Sequence, residues 1–191
     1  MSAHDILMSA AGNVNGTTYV DDVFSTYTYT GTGATQTITN GIDLAGKGGL
    51  VWTKGRNNPG YSLRNALVDT VRGAGYNSYS DGTEAQLATS DINAFTSTGY
   101  NFIGGPVGYQ NNAGNNYVSW TFRKAPKFFD IVTYTGDNTN PRAIAHNLGS
   151  LPGMIIVKRT DSTGDWWVYH RSLGATKWVK LNTTGRSEER R

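Results

Sequence analysis

A chain of 191 residues can bury one good-sized core or two small ones, and 37% hydrophobic with 12% aromatic content is enough to fill them. Charged residues make up only 16%, against ~25% in ordinary soluble domains, so Thr, Ser, Asn and Gly must cover the surface, which suits extracellular β-proteins and fibrous virion proteins better than cytosolic enzymes. The net charge of +3 comes from dispersed basic residues, the one cluster of Arg186, Arg190 and Arg191 being interrupted by Glu188 and Glu189 and reading as a solvated tail rather than a nucleic-acid footprint, and the lack of cysteine excludes disulfides, thiolate metal sites and thiol catalysis.

Residues 1–23 show no periodicity beyond a candidate short helix over 3–11, and are read as an N-terminal attachment segment. They lack the basic start and the ~7–15-residue apolar run of a signal peptide, and no segment reaches the ~18 apolar residues of a membrane span. A protein made in a cytoplasm, without membrane insertion, is expected. Residues 23–30 alternate as Phe24-Ser25-Thr26-Tyr27-Thr28-Tyr29-Thr30, and residues 35–39 follow the turn-forming Gly31-Thr32-Gly33, which predicts a hairpin. Gly48-Gly49 release a short apolar strand over 50–54, and the loop over 55–60 carries a strong Asn-Pro-Gly turn signal.

Residues 64–72 pass for a helix by composition, but their later counterpart is aromatic and β-prone, so both are predicted as strands. Residues 91–103 and 117–122 supply further strands around a Gly/Asn-rich loop, and 128–134, 144–148, 154–158, 166–169 and 178–181 complete the set. No stretch longer than ten residues has helical spacing, so parallel βαβ units lack their helices. The prediction is all-β: antiparallel β-sandwich modules.

The chain repeats itself. Tyr29-Thr30-Gly31 returns as Tyr134-Thr135-Gly136, 105 positions on; Leu50-Val51-Trp52-Thr53-Lys54 as Met154-Ile155-Ile156-Val157-Lys158, 104 on; and Val71-Arg72-Gly73-Ala74 as Ser172-Leu173-Gly174-Ala175, 101 on. Such drift is expected where strands are kept and surface connections shorten. Only 58 residues run from Tyr134 to Arg191, so about 47 residues of an equivalent second unit are missing. The organisation predicted is an N-terminal segment over 1–23, a first β-sandwich module over 24–126 and a second, incomplete β module over 127–191. The second unit requires either more polypeptide or strands from another subunit to cover an unpaired edge.

Candidate chemistry is sparse. A glycosidase needs one carboxyl group to protonate the leaving oxygen and another to attack or to activate water, but Asp21, Asp22, Asp69, Asp81, Glu84 and Asp130 sit in no such context. His4, His146 and His170 have no close metal spacing, and Gly46-Lys47-Gly48-Gly49 lacks the rest of a phosphate loop. No catalytic, metal or cofactor-binding residue is assigned, and no cofactor is expected. The aromatic group Trp166, Trp167, Tyr169 and Trp178 is the candidate contact surface, for another subunit or for a glycan. Alternation puts Trp166 and Val168 on one strand face, Trp167 and Tyr169 on the other.

Three strings in the second half carry a resemblance: residues 129–136 (FDIVTYTG), 146–159 (HNLGSLPGMIIVKR) and 167–177 (WVYHRSLGATK). Together they resemble a module repeated in tail-fibre and other virion proteins of tailed bacteriophages, notably of cyanobacterial and marine hosts. The first copy is similar more loosely, through residues 49–54, 69–74 and 116–120, and the likeness runs over about 24–189. The resemblance implies a non-enzymatic virion structural role in the tail, assembly as a homo-oligomer, typically a trimer, with other phage proteins as partners, and no catalytic residues. A host surface glycan bound by a distal part, a carbohydrate-binding module, and a capsid decoration protein are the alternative readings.

Overall fold

The computed structural model describes residues 18–57, 63–104, 109–184 and 188–189. In chain order the elements are α1 (Val20–Val23), β1 (Phe24–Thr30), β2 (Gln36–Thr39), α2 (Leu44–Lys47), β3 (Gly49–Gly55), β4 (Ala66–Asp69), β5 (Ser78–Tyr79), β6 (Ile92–Thr96), β7 (Gly99–Phe102), β8 (Asn116–Arg123), β9 (Met154–Lys158), β10 (Trp166–His170), a 3-10 turn (Arg171–Leu173), β11 (Lys177–Lys180) and β12 (Glu188–Glu189). They build three antiparallel sheets, ordered β1-β8-β3-β4-β5, β2-β7-β6 and β12-β11-β10-β9. The fold is all-β, as the strand spacing predicts.

The first two sheets enclose the core. Alternation decides who faces inward: Gly49, Val51 and Thr53 of β3 and Tyr117, Ser119 and Thr121 of β8 are buried while the residues between them are half-exposed. Opposite them Ile38, Ile92, Tyr100 and Phe102 rise from the three-stranded sheet, with Tyr29, Ile42, Leu44, Leu63 and Val68 filling the cluster. Tyr29 and Tyr117 stack at 5.1 Å on neighbouring strands. Each large side chain buried in this way contributes roughly 1.5–3 kcal/mol.

Several sequence expectations need correction. Residues 24–30 and 35–39 do not form a hairpin: β1 pairs with β8, placing Tyr29 opposite Tyr117, and β2 pairs with β7, placing Ile38 opposite Tyr100. Between them the Gly31 and Gly33 amides donate to Asn115 and Asn111, and the chain crosses from one sheet to the other. Alternation marks a strand without naming its partner. Of residues 64–72 only Ala66–Asp69 is strand; the Asp69 carboxylate then accepts from the Val71 and Arg72 amides and turns the chain.

Residues 128–134 and 144–148 form no strand, apart from a single bridge between Ala125 and Phe129. The candidate helix over 3–11 lies outside the described residues. The tail read as solvated contains β12, which pairs with β11. The one-turn helices α1 and α2 were not legible in any periodicity.

The buried tyrosines make an alkaline prediction. Burial raises the Tyr29 phenol well above its ordinary 10.0, reinforced by Tyr100, Tyr117 and Asp91, and burial likewise raises Tyr100 and Tyr117. A raised folded-state value means the stability is fully present below pH ~10 and is lost as pH rises through the folded values. Phenolate absorbance and far-ultraviolet circular dichroism followed together should show late ionisation coinciding with loss of the sheet signal. Ionisation of all 11 tyrosines near pH 10 with the sheets intact would refute the buried placement.

Candidate functional site: the open second sheet

The repeat is preserved down to strand register. Leu50, Val51, Trp52 and Thr53 of β3 lie opposite Asp69, Val68, Leu67 and Ala66 of β4. Met154, Ile155, Ile156 and Val157 of β9 lie opposite His170, Tyr169, Val168 and Trp167 of β10, so the offsets of 104 and 101 seen in the sequence are those of the two hairpins. The turns match too. The His170 Nδ1 accepts from the Ser172 amide as the Asp69 carboxylate accepts from that of Val71, and Gly73 and Gly174 follow at φ 102° and 83°, where only glycine is unstrained.

The second copy becomes strand only where its partners exist. Its β9-β10-β11 meander reproduces β3-β4-β5, whose pairings are local. Residues 129–135 correspond to β1 and residues around Ile144 to β2, and those strands pair with β8 and β7, which have no counterparts among the described residues of the second copy. Unpaired backbone has no ladder to join, and these residues stay irregular.

Directly opposed residues share a sheet face, so Ile155, Val157, Trp167, Tyr169, Trp178 and Lys180 lie together. Their first-copy counterparts Val51, Thr53, Ala66 and Val68 are buried under the three-stranded sheet. Here nothing among the described residues buries them: Ile155 is 43% exposed, Val157 and Trp167 are each 39%, and Tyr169, Trp178 and Lys180 are half-buried. Trp167 meets Trp178 edge-on at 5.4 Å, and Lys180 Nζ lies 4.9 Å over the Trp167 ring while pairing with Asp165 at 3.0 Å. Three of the four candidate aromatics thus form one half-exposed surface.

Trp166 does not belong to it. Facing the other way with Val168, it is buried, and its indole N–H donates to the Tyr79 carbonyl at 2.8 Å. Around it Lys158 Nζ donates to Thr83 O at 3.3 Å, the Gly164 amide to the same carbonyl at 2.8 Å, and the Gln86 amide to Thr160 O at 3.0 Å. Burial lowers the Lys158 ammonium's pKa. The loop receiving these bonds is held by Arg64, which pairs with Glu84 at 2.8 Å and lies 4.2 Å over the Tyr79 ring. The second sheet therefore docks by its outer face and presents its inner face outward.

Five of the six carboxylates considered for catalysis are engaged by other groups. Asp22 accepts from the Tyr19 amide, Asp69 pairs with Arg72, and Asp81 and Glu84 share Arg64. Asp130 is pulled upward by burial, but the Asn147 amide at 2.7 Å and Lys124 at 3.0 Å outweigh this and hold it below the usual range. The His146 Nδ1 accepts from the Leu148 amide. His4 lies outside the described residues, among which no group of three or more His, Asp or Glu could hold a metal and no helix is long and apolar enough to cross a membrane.

One surface escaped the sequence reading: Trp52, Lys54, Asn65, Trp120 and Phe122 line an open apolar hollow of about 520 Å³ on the outer face of the five-stranded sheet. Trp52 and Trp120 meet there edge-on at 6.0 Å. Only the β3–β8 pairing, across nearly seventy residues of sequence, brings them together.

No curated protein and no solved structure matches the chain. A family model described as a domain of unknown function, DUF7483, matches residues 20–191, taking in both the sandwich and the open sheet as one span. The chain belongs to this DUF7483 family.

Proposed function

We propose that this is a non-enzymatic structural protein of a tailed-phage virion, the particle-attaching part of a tail fibre, acting by assembly into an oligomer, most simply a trimer. The observation that carries the reading is β9: four consecutive apolar residues, each more than a third exposed, on a strand with one edge unpaired among the described residues. Monomeric proteins blunt such edges, whereas assembling proteins use them. Apolar area buried between chains, at ~25 cal/mol per Å², would hold a projection together without disulfides. The resemblance of residues 129–177 to phage fibre modules supports the virion setting.

Mass spectrometry of purified particles, separated into tails and emptied heads, should find the chain with tails. Recovery with heads would favour a capsid decoration protein, and absence from particles would end the virion reading.

A second reading has its own observation. Trp167, with Tyr169 and Trp178 beside it and Lys180 above, is a half-exposed aromatic surface of the sort that stacks on a sugar ring. Glycan-array binding abolished by Trp167→Ala, with the oligomer intact, would establish carbohydrate recognition instead.

A further inference from the structure

We infer that the edge of β9 left unpaired among the described residues is a slot for one antiparallel strand of β8 type, supplied by polypeptide outside these 191 residues. Residues 129–135 would close on its far side, as β1 closes on β8. The inference deepens the assembly reading above, sharing only its claim that β9 is covered by polypeptide from outside these residues.

Two glycines argue it most directly. In the first copy a Cβ on Gly49 would sit 2.1 Å from the Phe122 carbonyl oxygen of β8, and one on Gly31 2.3 Å from the Asn112 carbonyl oxygen in the loop entering β8. Gly49 is glycine because β8 comes too close for a Cβ, and Gly31 because the loop entering β8 does. Their counterparts are Gly153 and Gly136. A Cβ on Gly153 would meet nothing nearer than the Arg171 side chain at 3.8 Å, one on Gly136 nothing within 4 Å, and neither residue has positive φ. Among the described residues nothing requires glycine at either place; Gly153 is where a β8-type strand would press, and Gly136 where the loop leading into that strand would.

The aromatic and apolar residues agree. Tyr29 stacks on Tyr117 of β8 and donates its hydroxyl to Gln110 O; its counterpart Tyr134 is 52% exposed. Ile155 and Val157 take the places of Val51 and Thr53, which are buried beside Thr121 and Ser119. Carrying the register over sets the incoming strand: the residue in the place of Phe122 lies opposite Met154, Thr121 opposite Ile155, Trp120 opposite Ile156, Ser119 opposite Val157 and Val118 opposite Lys158. The occupant has small hydroxyl residues or tyrosine facing inward, large apolar residues facing outward, and no proline.

A second copy of the described strands does not supply it. The β8 of each copy is already held between its own β1 and β3 over seven residue pairs on each side, and lending it would dismantle the sandwich.

The test is a fusion. The sequence of residues 114–124, GNNYVSWTFRK, is attached after Arg191 through a Gly/Ser linker of about 15 residues, whose roughly 20 Å r.m.s. span covers the four strand spacings of ~4.8 Å from β12 to the slot beyond β9. At the millimolar effective concentration this gives, the β9 amides that do not bond β10 should exchange with deuterium at least tenfold more slowly than in the untethered chain. Proline in the tethered strand at the place of Trp120 should abolish the protection. Gly153→Ala should abolish it as well, yet leave the Tm of the untethered chain unchanged, a combination no merely structural glycine gives.

The slot is refuted if β9 exchanges equally fast with and without the tether, or if the Gly153→Ala fusion is protected like the parent. Protection of β9 in the untethered chain that scales with its concentration would also refute it, showing instead that two copies pair edge to edge. None of these outcomes depends on the chain being found in virions.

Discussion

Trp166→Ala should free the second sheet while the first sandwich stays folded. The indole is 5% exposed and fills the contact between β10 and the loop after β5, so its removal forfeits a large buried surface and leaves the Tyr79 carbonyl without its donor. Truncation of a buried tryptophan costs about 3–5 kcal/mol. A four-stranded sheet with one bare face has little else to offset this, since beside the buried Val168 its links to the sandwich here are the three hydrogen bonds from Lys158, Gly164 and Gln86. Hydrogen exchange should therefore accelerate in β9, β10 and β11 by two orders of magnitude or more and stay unchanged in β3 and β8. Trp166→Phe, which keeps most of the apolar contact but not the donor, should show a smaller acceleration, worth about 1–2 kcal/mol. Equal acceleration in both sheets, or none in β9–β11, would mean that the second sheet is not held by this contact.

The repeat was legible because it lives in local patterns. The strands over 154–158 and 166–169 and the opposite orientations of Trp166 and Trp167 follow from alternation, and each appears where the two copies' letters place it. Partnership was not legible. Residues 24–30 and 35–39 look like two arms of a hairpin, but the partners that satisfy them, β8 and β7, arrive about 60 to 100 residues later, after β3 to β6.

The same limit hid the Trp52–Trp120 hollow and the Trp166–Tyr79 contact, each made by residues far apart in sequence whose types are equally at home in a core. The failure over 128–134 is more instructive. Those letters specify a strand as well as β1 does, and they remain irregular because pairing is a property of two segments, and no described residue supplies the second.

Gln110→Ala should be among the most costly substitutions in the first sandwich, although its place in a Gly/Asn-rich loop suggested only a surface connection. Gln110 is fully buried. Its Oε1 accepts from the Ser90 hydroxyl at 3.1 Å and from the Asp91 amide at 2.9 Å, and its Nε2 donates to the Thr53 hydroxyl at 3.4 Å. Its backbone amide donates to Asp91 Oδ2 at 2.7 Å and its carbonyl accepts the Tyr29 hydroxyl, also at 2.7 Å. One residue thus ties β1 and β3 of the five-stranded sheet to the entry of β6 in the three-stranded one. Truncation strips the side-chain partner from a buried amide and leaves a cavity beside Thr53, which together should cost about 3–4 kcal/mol. Gln110→Met, of similar length and without polar atoms, separates the two effects and should cost about 2 kcal/mol, the part owed to the orphaned groups alone. Urea unfolding with unchanged m-value reads both. A loss below about 1 kcal/mol for the alanine variant would show that water replaces the amide and that the two sheets are held by their apolar contacts without it.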